Sequence, residues 1–99
     1  MEIPLESYTQ RREELLSRVR KILIDRLHVR RTPDEIDPDT SLFLSGLGLD
    51  SVDMVELVVA CEAEFGVTIR SGTAGRARLR TLNNVVDFVI SEEEKRRGA

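Results

Sequence analysis

Three side chains in this sequence could carry covalent chemistry: the hydroxyl of Ser51, the thiol of Cys61 and the imidazole of His28. Ser51 follows Leu47-Gly48-Leu49-Asp50 and opens a stretch of helical apolar spacing, so its hydroxyl belongs to the start of a helix. A phosphate esterified there would meet unpaired N–H groups and the positive end of the helix dipole, a placement worth about 0.3–1 kcal/mol when exposed. The same residues also have a purely structural reading. Asp50 caps the helix, Asp53 three positions later closes a carboxylate version of the capping box, and Ser51 is a polar first-turn residue. On spacing alone the structural reading is the simpler one.

Other chemistries fit less well. A hydrolase would recruit Ser51, His28 and Asp50, but Leu49-Asp50-Ser51-Val52-Asp53 lacks the glycines of a nucleophile elbow. An aspartate adjacent to the serine is also no substitute for one that orients a histidine. His28 ends the first helix among cations and reads as a solvated residue, and Cys61, at helical spacing with Phe65, reads as buried and apolar. Asp37-Pro38-Asp39-Thr40-Ser41 starts like a calcium loop, yet Leu42 takes the glycine position and Gly48 the glutamate position, so no metal site is expected. Gly46-Leu47-Gly48 lacks the third glycine of a dinucleotide loop and the Gly-Lys of a phosphate loop.

The elements that must position Ser51 follow from size and periodicity. Ninety-nine residues, 40% apolar and 33% charged, bury roughly two-thirds of their unfolded surface and make one core, so residues 1–99 read as a single domain with its core at about 7–97. No apolar run approaches the ~20 residues of a membrane span. Met1-Glu2-Ile3-Pro4 has no basic stretch leading into an apolar segment, which points to a cytoplasmic chain. The single cysteine makes no internal disulfide.

Leu15, Leu16, Val19, Ile22, Leu23 and Leu27 form the stripe of a long first helix, with Ser7 and Gln10 as a capping box. Thr32-Pro33-Asp34-Glu35 caps at most a short turn. A long connection over residues 30–49 comes next, tied down by Ile36, Leu42, Phe43 and Leu44. The second helix runs from Asp50 to Gly66, whose missing side chain suits a helix end. Val67-Thr68-Ile69 is extended, and a short helix fits around residues 74–79. Thr81 caps the last helix, with Leu82, Val85, Val86, Val89 and Ile90 inward and with Glu92–Arg96 and Glu93–Arg97 at i,i+4 spacing. The sum is an all-α bundle of three long helices and one short one.

Charge is distributed unevenly within a net −3. Residues 11–31 hold eight Lys or Arg against three acids, residues 70–80 hold four Arg and no acid, and residues 32–69 hold nine acids and no base. The acidic block favours basic partners and disfavours nucleic acid, and the arginine-bearing segment lacks aromatics for base stacking. On a helical projection of the second helix, Glu56, Ala60 and Glu64 fall near Asp53 as an acidic, small-residue face, while Leu57, Cys61, Met54, Phe65 and Val58 form the core arc. Val52, Val55 and Val59 lie between these arcs. Periodicity fits them equally as core or as an exposed apolar docking stripe.

Leu47-Gly48-Leu49-Asp50-Ser51-Val52-Asp53-Met54-Val55-Glu56-Leu57 resembles the phosphopantetheine attachment motif of acyl carrier proteins. Glu62-Ala63-Glu64-Phe65-Gly66-Val67-Thr68-Ile69 is similar to that family's segment after the motif, and Ile36-Asp37-Pro38-Asp39-Thr40-Ser41-Leu42-Phe43 to its preceding loop, particularly in polyketide and peptidyl carrier domains. The likeness extends from about Val19 to Ile90. It implies a four-helix carrier that is not an enzyme: a phosphopantetheinyl transferase would load 4'-phosphopantetheine from coenzyme A onto Ser51, with Asp50 helping to hold Mg²⁺ during loading. Acyl groups would ride as thioesters on the arm for fatty-acid, polyketide or specialised lipid biosynthesis. The resemblance makes Val52, Asp53, Val55, Glu56, Val59 and Glu64 the face for acyl-loading and acyl-processing enzymes with basic docking patches, on a monomer that does not insert into membranes. An aminoacyl or peptidyl cargo, or a never-modified interaction module, are the alternatives. Cys61, Phe65 and Val86 would border a space for an acyl chain, or simply fill the core. The basic residues 70–80, and Ser45-Gly46 where many relatives carry acids, depart from the fatty-acid pattern and imply a specialised carrier.

Overall fold

A computed structural model of the chain describes residues 5–43, 46–69 and 79–98. Its elements in order are α1 (Leu5–Asp25), a 3₁₀ turn (Pro33–Glu35), α2 (Ser51–Phe65) and α3 (Leu82–Gly98). Among the described residues the protein is all helical, with two isolated bridges, Ser41–Thr81 and Phe43–Leu49, in place of strands. No helix among them is long and apolar enough to cross a membrane. The expected short helix at residues 74–79 lies, but for Leu79, outside the described residues, as do Leu44 and Ser45.

The stripe on α1 behaves as its spacing requires: Leu15, Leu16, Val19, Ile22 and Leu23 are buried, and Leu27 packs half-buried against the same core. The expected cap does not form. Helical backbone already includes Leu5 and Glu6, so Ser7 sits within the first turn rather than ahead of it. At the other end the Val29 N–H donates to the Leu23 carbonyl at 3.0 Å across His28, which has φ 59°. This closure spans one residue more than a Schellman motif and puts a non-glycine residue in the left-handed position. His28→Gly should therefore raise stability by about 1 kcal/mol, because the Cβ strain disappears and the exposed ring contributes no packing. A urea melt with an unmoved or lowered midpoint would refute the strain.

The segment between α1 and α2 is anchored at intervals. Glu35 accepts from both the N–H and the hydroxyl of Thr32 at 2.9 Å, which lowers its pKa, so this turn loosens only as acid protonates the carboxylate. Ile36, Leu42 and Leu49 are buried and Phe43 half-buried. Leu42 and Asn83 donate N–H groups to the carbonyls of Arg80 and Pro38 at 2.8 and 3.1 Å, stitching the segment to the entry of α3. Gly46 is required by close approach: a Cβ there would lie 1.7 Å from the Ser41 carbonyl oxygen.

Thr81 caps α3, its hydroxyl accepting from the Asn84 N–H at 3.1 Å. Leu82, Val85, Val86 and Val89 are buried as expected, Ile90 packs against them, and Phe88 is buried as well. The expected Glu92–Arg96 pair is replaced. Glu92 meets Lys95 at 3.3 Å, Glu93 reaches across to Arg11, and Arg96 lies beside Gly66. Arg12 adds contacts to Asp87 and Asn83, so α1 clasps α3 by charge over the shared apolar seam. The side chain of Arg97 lies outside the described residues.

Candidate functional site

The loop before α2 delivers Ser51 to the surface. Gly48 turns the chain with φ 79° in open space, Leu49 then buries its side chain and donates its N–H to the Leu42 carbonyl at 3.1 Å, and Asp50 is extended. With Leu49 inward, Asp50 and Ser51 face out. Asp50 Oδ1 accepts from the Asp53 N–H at 2.9 Å, and Asp53 Oδ2 accepts from the Asp50 N–H at 3.0 Å, the carboxylate capping box expected from the spacing. Ser51 is the first helical residue and is exposed, and among the described residues nothing hydrogen-bonds its hydroxyl. Its own N–H and that of Val52 belong to the helix end that has no intrahelical acceptor, since the cap takes only the Asp53 N–H.

One side of α2 enters the core. Leu57, Ala60 and Cys61 are buried, with Met54, Val58 and Phe65 packed against them. Ala60 thus differs from its expected place beside the acids: the buried arc is centred nearer Leu57 and takes in this small side chain, which joins the core rather than meeting water. Val52, Val55 and Val59 turn the opposite way, 76%, 64% and 50% exposed, and with Tyr8 they are the large exposed apolar residues among those described. Such a contiguous stripe on one helix is a feature a monomer's own core does not use.

The carboxylates are less free than the stripe. Glu64 is held by Arg18, through Nε at 2.9 Å and Nη2 at 2.8 Å, while Nη2 also donates to the Glu64 carbonyl at 3.1 Å and the guanidinium lies 4.8 Å from the Phe65 ring centroid. Glu56 meets Arg26 at 3.3 Å. Spacing along the sequence could have shown this, since Arg18 and Arg26 are eight residues apart, as are Glu56 and Glu64, and antiparallel helices match such pairs. Gly66 ends the helix in the left-handed conformation, φ 66°, as expected.

Cys61 is fully buried, and burial, aided by Glu64 and Glu62, pushes its thiol up to about 12. It is no nucleophile at neutral pH. Thiol reagents should label it only as fast as the domain opens, and stability should fall as pH rises above 9.0, because the unfolded chain then releases a proton that the folded chain retains. Fast labelling of the native protein at pH 7 would contradict the packing. His28, just past the end of α1 with its ring in water, keeps the solvated role its position implied.

The chain matches, over residues 17–89, the family described as "Phosphopantetheine attachment site". It belongs to the acyl carrier protein family. Similar proteins include the "Acyl carrier protein" of Thermosynechococcus vestitus, 41% identical over 76 residues that span 77% of this chain and 88% of the relative. The "Acyl carrier protein" of Nitratidesulfovibrio vulgaris is 36% identical over 76 residues, 77% of this chain and 93% of that one. The prosthetic group of this carrier family is 4'-phosphopantetheine. The matched range contains Asp50, Ser51 and the whole of α2. In this carrier α2 therefore combines an exposed hydroxyl at its first residue with an exposed apolar stripe running away from it.

Proposed function

We propose that Ser51 is the attachment residue and that α2 is the surface partner enzymes read. The observation that carries this is the unengaged Ser51 hydroxyl on the first residue of a firmly capped helix, in the family's matched range. A phosphodiester there fits the residues present: the Ser51 and Val52 N–H groups are available to it, and the helix dipole favours its charge. Asp50 uses Oδ1 for the cap, which leaves its second oxygen for the Mg²⁺ a transferase needs during loading. When attached, the arm supplies a terminal thiol on which acyl groups travel as thioesters. Every other contribution is the chain's own: the cap fixes the direction in which the arm leaves, and the buried face of α2 holds that direction rigid.

Val52, Val55 and Val59 offer the apolar docking area, with Asp53, Glu56 and Glu64 as the acidic contacts for basic patches on the transferase and on acyl-loading and acyl-processing enzymes. The carrier performs no catalysis itself. Its arrangement is a single domain over residues 1–99, a four-helix carrier-like bundle, working as a cytoplasmic monomer. Cargo is an acyl intermediate of fatty-acid, polyketide or specialised lipid synthesis. Incubating the protein with coenzyme A, Mg²⁺ and a broad-specificity phosphopantetheinyl transferase should add one phosphopantetheine mass. If several transferases leave it unchanged, a carrier-like interaction module replaces this reading.

A further inference from the structure

Five carboxylates stand at the head of α2 or along it, and each is engaged within the chain. Asp50 and Asp53 bond each other's backbone N–H, Glu62 accepts from the Ile69 N–H at 3.0 Å, and Arg18 and Arg26 hold Glu64 and Glu56. They differ in how easily they are released. Three of them satisfy backbone N–H groups at the ends of the helix, where loss of the contact frays the structure. Glu64 is gripped by two nitrogens of an arginine that is itself stacked on Phe65. Glu56 alone is held by nothing but a single side-chain contact, 3.3 Å to Arg26 Nη2, with the two side chains 45% and 52% exposed. Glu56 is also one turn from both Val52 and Val59, so this readily released carboxylate borders the exposed stripe.

Building on the docking face proposed above, we infer that Arg26 is an intramolecular competitor for Glu56, and that a partner docks by exchanging its own cation for Arg26. The occupant is a protein surface that presents an apolar patch with a Lys or Arg at its edge. Charge and shape select it: three valines require an apolar counterpart, and the one readily released carboxylate beside them requires a cation. The exchange is easy in both directions because exposed ion pairs are weak, so Arg26 tunes affinity by about two- to fivefold rather than blocking it. Arg26 lies just beyond the last residue of α1, its N–H bonded to the Ile22 carbonyl at 2.8 Å, so its backbone stays fixed while its side chain swings away.

The test uses the whole apo protein as substrate of a broad-specificity phosphopantetheinyl transferase with coenzyme A and Mg²⁺, measuring KM and kcat for the carrier across a salt series. Arg26→Gln should lower KM by about two- to fivefold at low salt, leave kcat unchanged and steepen the rise of KM with salt. In a Glu56→Gln background the same substitution should change nothing. Helical circular dichroism keeps the comparison to folded proteins. An unchanged KM for Arg26→Gln, a raised one, or an equal fall in the Glu56→Gln background would each overturn the exchange while leaving attachment at Ser51 intact. A wild-type chain that no transferase loads would overturn attachment, and the exchange with it.

Discussion

Ser51→Ala should abolish the gain of phosphopantetheine completely while leaving the fold and its stability nearly unchanged. The loss is total because no other group at this end of α2 can replace the hydroxyl: Asp50 and Asp53 are bound in the cap, and Cys61 is buried with its thiol pushed up to about 12. The fold is spared because Ser51 is exposed and makes no side-chain hydrogen bond among the described residues, so truncation leaves no cavity and no orphaned partner. Alanine at a first-turn position changes stability by no more than about 0.5 kcal/mol. Intact mass after incubation with coenzyme A, Mg²⁺ and transferase reads the first effect, and a urea melt reads the second. An alanine variant that still gains the mass would place the attachment elsewhere.

The two sides of α2 should respond oppositely to substitution. Leu57 is fully buried at the middle of the helix, and Leu57→Ala should cost about 2–5 kcal/mol through lost transfer energy and the cavity left behind. That is a large share of the roughly 5–15 kcal/mol by which domains of this kind are stable, so the variant should melt far earlier or fail to hold its helix content. Val55, two residues away and 64% exposed, packs against nothing it would leave empty. Val55→Ser should stay within about 0.5 kcal/mol of the parent, since the two residues have similar helix propensity. Its effect should appear instead as weakened transfer by enzymes that act on the carrier, a rise in KM at constant fold. If Val55→Ser destabilises as strongly as Leu57→Ala, the stripe is packing and the docking face is lost.

What the sequence made legible was local. The Asp50–Asp53 box, the Gly66 end of α2, the Thr32–Glu35 turn and the Thr81 cap each depend on residues within a few positions of one another, and each formed as expected. The burial stripes of α1 and α3 were legible for the same reason, because helical period alone sorts one face from another. Failures occurred where the decisive neighbour is distant in sequence. Glu92 has Arg96 four residues on, yet it meets Lys95, and Arg96 lies instead beside Gly66 at the end of α2. The projection of α2 placed Ala60 beside the acids because it gives angles between residues but not the azimuth at which the core meets the helix. The fate of Val52, Val55 and Val59 hung on that same azimuth. Ser7 misled because a serine with glutamine three positions on marks a start only if the chain ahead of it is not already helical.

The interior position of Cys61 has a practical corollary. This polypeptide has one sulfur of cysteine, and folding keeps it from electrophiles, so a maleimide dye applied to the native holo protein would find its sulfhydryl on the arm alone. Dye per molecule then counts the carriers that bear a free arm, acylated or arm-free molecules stay dark, and no engineered handle is needed to follow the traffic.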